Sequence, residues 1–178
     1  MPQPVIPAVG QTMPEVDLVD ARDRHSTLAA VSDGRRAIVY FMRTSTCPVC
    51  LAHAAAIQRL FDAGDVADAA FVLVAPGGRE EAVVAEARVR SAHGTRAEVW
   101  ASGSDHGNVG LGRFLGLQHS GTFVIDERGQ LLAVRARALP IRNFSRDEVV
   151  SALAAATDAS GGAESDASGG AESRELRS

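Results

Sequence analysis

Two short, unbroken apolar runs, Ala37-Ile-Val-Tyr-Phe-Met42 and Phe71-Val-Leu-Val-Ala75, constrain this chain more than anything else in it. Runs of this length without polar alternation suit strands buried on both faces. Between them a helical pattern opens at Pro48, a favoured first-turn proline, and continues to about Ala63. Val49, Ala52, Ala56, Ile57 and Leu60 mark its apolar stripe. A second helix is predicted from Arg79 to about Ala92 with Val83, Val84 and Ala87 inward, then a strand from Glu98 to Ala101. A glycine-broken helical stretch follows over Asn108 to Leu115. Thr122 to Asp126 and Leu131 to Arg137, joined by the turn Glu127-Arg-Gly129, read as a hairpin. Ser145 and Glu148 form a capping box ahead of a last helix carrying Val149, Val150 and Leu153. The order β-α-β-α-β-α-β-β-α predicts an α/β fold, with helices on both faces of a mainly parallel sheet and the hairpin as its antiparallel edge.

One domain over residues 1–157 accommodates this pattern. Beyond it, Asp158-Ala-Ser-Gly-Gly-Ala-Glu-Ser165 is repeated at once as Asp166 to Ser173. Such a composition cannot bury enough apolar surface to offset the entropy of ordering, so residues 158–178 are expected to form a disordered tail. The tail holds five acids and two arginines, a net −3 of the chain's −4, which leaves 17 acids against 16 basic residues in the body. A nucleic-acid partner, which needs clustered cations, is not expected. No apolar run is long enough for a bilayer span, and the N-terminus lacks the basic and apolar regions of a signal peptide. The expected address is the cytoplasm, without a membrane partner. Every basic residue apart from histidine is arginine, so lysine general-base or Schiff-base chemistry is excluded.

The chain has two cysteines, and they sit three positions apart in Cys47-Pro48-Val49-Cys50. Neighbours this close staple almost nothing, so the pair points to chemistry. Cys47 falls where the first buried run meets the Pro48 helix. There, unpaired backbone N–H groups and the helix dipole favour a thiolate. Cys50, almost one turn on, is placed to attack a mixed disulfide or sulfenic acid formed on Cys47. A zinc site would need four ligands, of which Cys47, Cys50 and His53 could supply three. Arg43 is a candidate for lowering the thiol pKa through its charge, and Thr44 for hydrogen-bonding a thiolate. His53 would either relay a proton to Cys50 or simply border the helix stripe. Asp105-His106 reads better as a helix-start turn than as an acid/base pair, and Trp100 as core. Gly107, Gly110 and Gly112 lack the lysine and spacing of a phosphate loop.

Three segments carry a family resemblance. Val9-Gly-Gln-Thr-Met-Pro14 with Leu18 and Asp20, Tyr40 to Cys50, and Gly121-Thr-Phe-Val-Ile-Asp126 with Gly129 resemble stretches of the peroxiredoxin-like (AhpC/TSA, redoxin) branch of the thioredoxin-like superfamily. The resemblance spans roughly residues 9 to 156 and implies a thioredoxin-like fold, a central mixed β-sheet flanked by helices. It also implies a thiol-dependent antioxidant enzyme cycling between a Cys47/Cys50 dithiol and disulfide, with Pro48, Thr44, Arg43 and Thr122 in support. No bound cofactor or metal is expected. The substrate would be a disulfide or hydroperoxide, and the reductant a thioredoxin-type or low-molecular-weight thiol; a homodimer stays open. The chain departs from the family's P-x-x-x-T-x-x-C pattern. Counted back from Cys47, Thr44 is present but Tyr40 holds the proline position; counted back from Cys50, the two positions are Arg43 and Cys47. Ser120 stands where a later arginine, or the thioredoxin cis-proline, would be. Peroxide cleavage needs donors for the departing oxygen, so disulfide exchange is expected ahead of peroxide reduction, with a non-catalytic or zinc-binding module as the remaining alternative.

Overall fold

A computed structural model of the chain describes residues 5–93, 96–103, 106–114, 116–137 and 142–161. The two apolar runs become β3 (Ala37–Phe41) and β4 (Ala70–Ala75), every residue of both buried. They pair in parallel, Tyr40 opposite Leu73, and β4 pairs in parallel with β5 (Glu98–Ala101). On the other side β3 pairs antiparallel with β8 (Ser120–Ile125), which turns back through Asp126–Gly129 into β9 (Leu131–Arg137). An N-terminal hairpin, β1 (Asp17–Asp20) and β2 (His25–Thr27), completes a seven-stranded sheet of order β2-β1-β5-β4-β3-β8-β9. The sheet is mixed, since only the β3–β4 and β4–β5 pairs are parallel. The expected closing hairpin is present; the N-terminal one, with only four- and three-residue strands, left no periodic signal.

Alternation along β3 divides the core. Ile38 and Tyr40 face one apolar cluster with α2 (Pro48–Asp62), α3 (Arg79–His93) and α4 (Arg146–Gly161). Ala37, Val39 and Phe41 face the other, which is covered by the short α1 (Leu28–Ser32), the N-terminal segment at Met13 and Val16, and Val109 and Leu111. Helices on both faces were expected; instead the three long ones share a core, and five residues of helix plus loop cover the opposite face.

Some helix faces also differ from expectation. In α3 the inward residues are Ala82, Ala85 and Val89, whereas Val83, Val84 and Ala87 are exposed. Small residues let this helix lie close to the sheet, and valine content was a poor guide to its buried side. In α2 the buried residues are Cys50, Ala54, Ala55, Ile57, Gln58, Leu60 and Phe61, while Val49 and Ala52 face outward. The expected helix over residues 108–115 is absent among the described residues. A single 3₁₀ turn, Gly107–Val109, ends at Gly110 in the left-handed region (φ 75°), and a two-stranded ribbon follows, β6 (Arg113–Phe114) and β7 (Leu117–Gln118). A Cβ on Gly110 would meet the backbone of Val5 and Ile6 at 2.4 Å, so the chain crosses itself where only glycine fits. Glu148, expected in a capping box, instead pairs with Arg135 of β9. Helix α4 runs four residues into the segment expected to be a tail; residues 162–178 lie outside the described residues, as does Asp105.

Candidate active site

The end of β3 is held from two sides before the chain reaches the cysteines. Met42 N–H donates to Val74 O (2.8 Å), and the buried His106 bonds through Nε2 to Met42 O (2.8 Å) and through Nδ1 to Ser102 Oγ (2.7 Å). His106 is thus a structural brace at the sheet end. Ser45 Oγ then donates to Glu81 of α3, tying the loop to that helix. Cys47 N–H donates to Thr44 O (3.3 Å), closing a turn that delivers Cys47 to the start of α2.

Cys47 is the N-cap of α2, with extended backbone (φ −63°, ψ 115°) and Pro48 at the first helical position. Its Sγ accepts the Cys50 N–H at 3.3 Å, doing for this helix what a serine oxygen does in ordinary caps. A sulfur so placed sits in the positive potential of the helix N-terminus. Cys47 is partly exposed; Cys50 is fully buried, and both are reduced. Cys50 Sγ accepts the Arg43 N–H at 3.3 Å. Burial pushes the Cys50 thiol up to about 12, helped by its hydrogen bond to Cys47 and opposed by those from Arg43 N–H and Tyr40.

Sequence reasoning named His53 but missed the roles of Tyr40, Ser120 and Asn143 behind Cys50. The Tyr40 hydroxyl meets His53 Nδ1 at 3.1 Å, and Tyr40 and Cys50 lie in the same buried cluster. Burial raises the Tyr40 phenol well above its usual range, and burial lowers the His53 imidazole below its own. Ser120 in turn accepts from Asn143 Nδ2 at Oγ (2.8 Å) and at its carbonyl (3.0 Å). A tyrosine inside an otherwise apolar run was the available signal, because a buried phenol needs a partner. Asn143, distant in sequence, gave none.

The supporting candidates divide. Pro48 starts the helix, and Thr44 contributes its carbonyl. Arg43 places its backbone amide on Cys50, while its buried Nε has no acceptor among the described residues. Thr122, opposite Tyr40 in the sheet, spends its hydroxyl on Asn143 O (2.5 Å) and so acts on the cysteines only through that scaffold. His53 is committed to Tyr40, and no three His, Cys, Asp or Glu side chains converge as metal ligands among the described residues. Trp100 is core, with the Arg24 guanidinium 6.0 Å from its ring centre. No helix among the described residues is long and apolar enough to cross a membrane.

A family model described as the AhpC/TSA family matches residues 9–134, well over half the chain and inclusive of both cysteines. The chain belongs to the AhpC/TSA family. It is a thiol-dependent oxidoreductase of thioredoxin-like fold, which sets aside a non-catalytic module. Among solved structures it is similar to the peroxidoxin BcpB of Mycobacterium tuberculosis (23% identity, 83% of this chain and 96% of that one, TM-score 0.60). It is also similar to a peroxiredoxin-like protein from Aquifex aeolicus (16% identity, 84% and 88%, TM-score 0.69). A thiol peroxidase from Chromobacterium violaceum matches with 16% identity over 88% and 93% of the two chains, at a TM-score of 0.69. No curated protein matches by sequence.

Proposed function

We propose that this AhpC/TSA-family chain is a thiol–disulfide oxidoreductase that cycles between a Cys47/Cys50 dithiol and disulfide. The carrying observation is the asymmetry of the pair: Cys47 is partly exposed at the helix N-terminus and takes an amide hydrogen bond, while Cys50 lies buried directly behind it. Cys47 thiolate attacks one sulfur of a substrate disulfide and expels the other as a thiolate. Cys50 then attacks the Cys47 sulfur, expels the second substrate thiolate and leaves the intramolecular disulfide. Two electrons pass from the pair to the substrate, and an external thiol, thioredoxin-type or of low molecular weight, restores the dithiol. The proposed setting is the cytoplasm, where such thiols are kept reduced. The site uses side chains and backbone alone, without a bound cofactor.

A second reading, hydroperoxide reduction at the same cysteines, draws on the family and on Arg43 Nε, a donor near the loop that has no acceptor among the described residues. A titration separates them. Reduced protein is treated with hydrogen peroxide and, in parallel, with a small disulfide, following free thiols and intact mass. Faster loss of two thiols and about two mass units with the disulfide is expected. Faster loss with peroxide makes the second reading the right one. Inertness to both removes the pair from catalysis.

A further inference from the structure

The peptide group that joins Met42 to Arg43 lies just beyond β3 and is hydrogen-bonded on both sides. Its carbonyl accepts from His106 Nε2 at 2.8 Å, and its N–H donates to the Cys50 sulfur at 3.3 Å. The peptide is trans, so the two bonds leave one rigid, resonance-coupled unit in opposite directions. A carbonyl oxygen can only accept, which fixes a proton on Nε2 of the His106 ring. Nδ1 of the neutral ring then accepts the Ser102 hydroxyl proton at 2.7 Å. Every donor in the chain points the same way: Ser102 to His106, His106 to the Met42 carbonyl, and the Arg43 amide to Cys50.

His106 is held firmly in this position. It is 1% exposed, and its ring packs edge-on against Phe41 with 5.0 Å between centres. Its own carbonyl accepts the N–H groups of Val109 (3.2 Å) and Leu111 (3.3 Å). Phe41 belongs to the core cluster on one face of the sheet, and Cys50 to the cluster on the other. The Met42–Arg43 peptide therefore links one layer of the molecule to the other.

We propose that His106 tunes the resolving cysteine from the far side of the sheet, by polarising and aiming the Arg43 amide that stabilises the Cys50 thiolate. A donor on the carbonyl oxygen draws electron density from the peptide nitrogen and makes its N–H a stronger donor. Hydrogen bonds in series reinforce one another in this way inside a protein. The gain is largest when the acceptor is charged, as it becomes when Cys50 gives its proton to solvent base and attacks the Cys47 sulfur. In that step the Cys47–Cys50 bond forms, the bond from Cys47 to the substrate sulfur breaks, and the substrate leaves as a thiolate. No oxidant beyond the bound substrate is consumed. His106 touches no reacting atom and is a positioning residue, with Ser102 holding its ring. The inference rests on the cycle proposed above, since only there does Cys50 act as the resolving nucleophile.

The test compares His106→Gln with His106→Asn. A glutamine amide can place an N–H where Nε2 stands, whereas an asparagine amide, one methylene shorter, reaches only the Nδ1 position. Both put an amide into the same buried site, so the bond to the Met42 carbonyl is the main difference between them. Reduced protein is mixed in stopped flow with one equivalent of 5,5′-dithiobis(2-nitrobenzoate). The first coloured thiolate reports attack by Cys47 and scales with concentration; the second reports resolution by Cys50 and does not. The ratio of second-phase to first-phase rate should fall at least about threefold in His106→Asn and stay near the wild-type value in His106→Gln. In isotope-labelled protein, the Arg43 amide proton resonance should move upfield in His106→Asn and hold its place in His106→Gln. Should His106→Asn fail to fold, Ser102→Ala takes its place, with a fall of about twofold expected and a wild-type ratio overturning the proposal. Equal ratios in His106→Asn and His106→Gln, both lowered or both unchanged, overturn the tuning role and leave the cycle intact. Absence of the first coloured thiolate in the wild-type chain takes down the cycle itself.

Discussion

At the scale of single residues, Cys50 sets the terms. Its amide donates to the capping sulfur of Cys47, while its own sulfur, fully buried, accepts the Arg43 N–H. The same burial that raises its thiol from 9.0 to about 12 links stability to pH. Above about 9 the unfolded chain releases this proton while the folded chain keeps it. Its contribution to stability is therefore complete below pH 9 and is lost as pH climbs toward 12. In urea unfolding of the reduced protein at pH 8, 9 and 10, midpoints should fall steadily, and Cys50→Ser should flatten that decline. Some slope should survive, because the buried Tyr40 phenol is raised for the same reason. A slope identical in both proteins would show that the thiol is not desolvated as described.

At the scale of elements, the site depends on three strand ends meeting one helix start, and the close fit of β8 to its neighbours is what brings Ser120 to Tyr40. Gly121 makes that fit. Opposite Phe41 in the register, it leaves so little room that a Cβ would stand 2.9 Å from Ala136 Cβ and 3.0 Å from Arg135 O. Gly121→Ala should destabilise the protein by roughly 1–3 kcal/mol by overpacking. Ala136→Gly should return part of the loss in the double variant, measured as urea midpoints, and additive losses would contradict this packing. The elements that form the frame were legible because their signals are local. Unbroken apolar runs gave β3 and β4, Pro48 gave the start of α2, and the turn ending at Gly129 gave β8 and β9. What was not legible depends on partners far along the chain. Val83 and Val84 of α3 face solvent because alanines suit the close approach, and Gly110 stops a helix because residues Val5 and Ile6 cross it.

At the scale of the whole molecule, the sheet sorts the site into an accessible half and a protected half. The cysteine motif and its place at a strand-to-helix junction could be read directly, because Cys-x-x-Cys is contiguous in sequence. The network behind Cys50 could not, since it joins β3, α2, β8 and the segment before α4, and only the folded chain assembles it. Membership of the AhpC/TSA family establishes thiol-dependent redox chemistry and leaves open which sulfur meets the substrate first. The partly exposed cap position of Cys47 is what supports our proposal that Cys47 attacks first. The most direct measurement is a trap: Cys50→Ser protein, reduced and then treated with one equivalent of a small disulfide, is analysed by intact mass and peptide mapping. A stable mixed disulfide on Cys47 is the expected result. If Cys50→Ser forms no adduct while Cys47→Ser forms one readily on Cys50, the order of attack assigned to this pair is wrong.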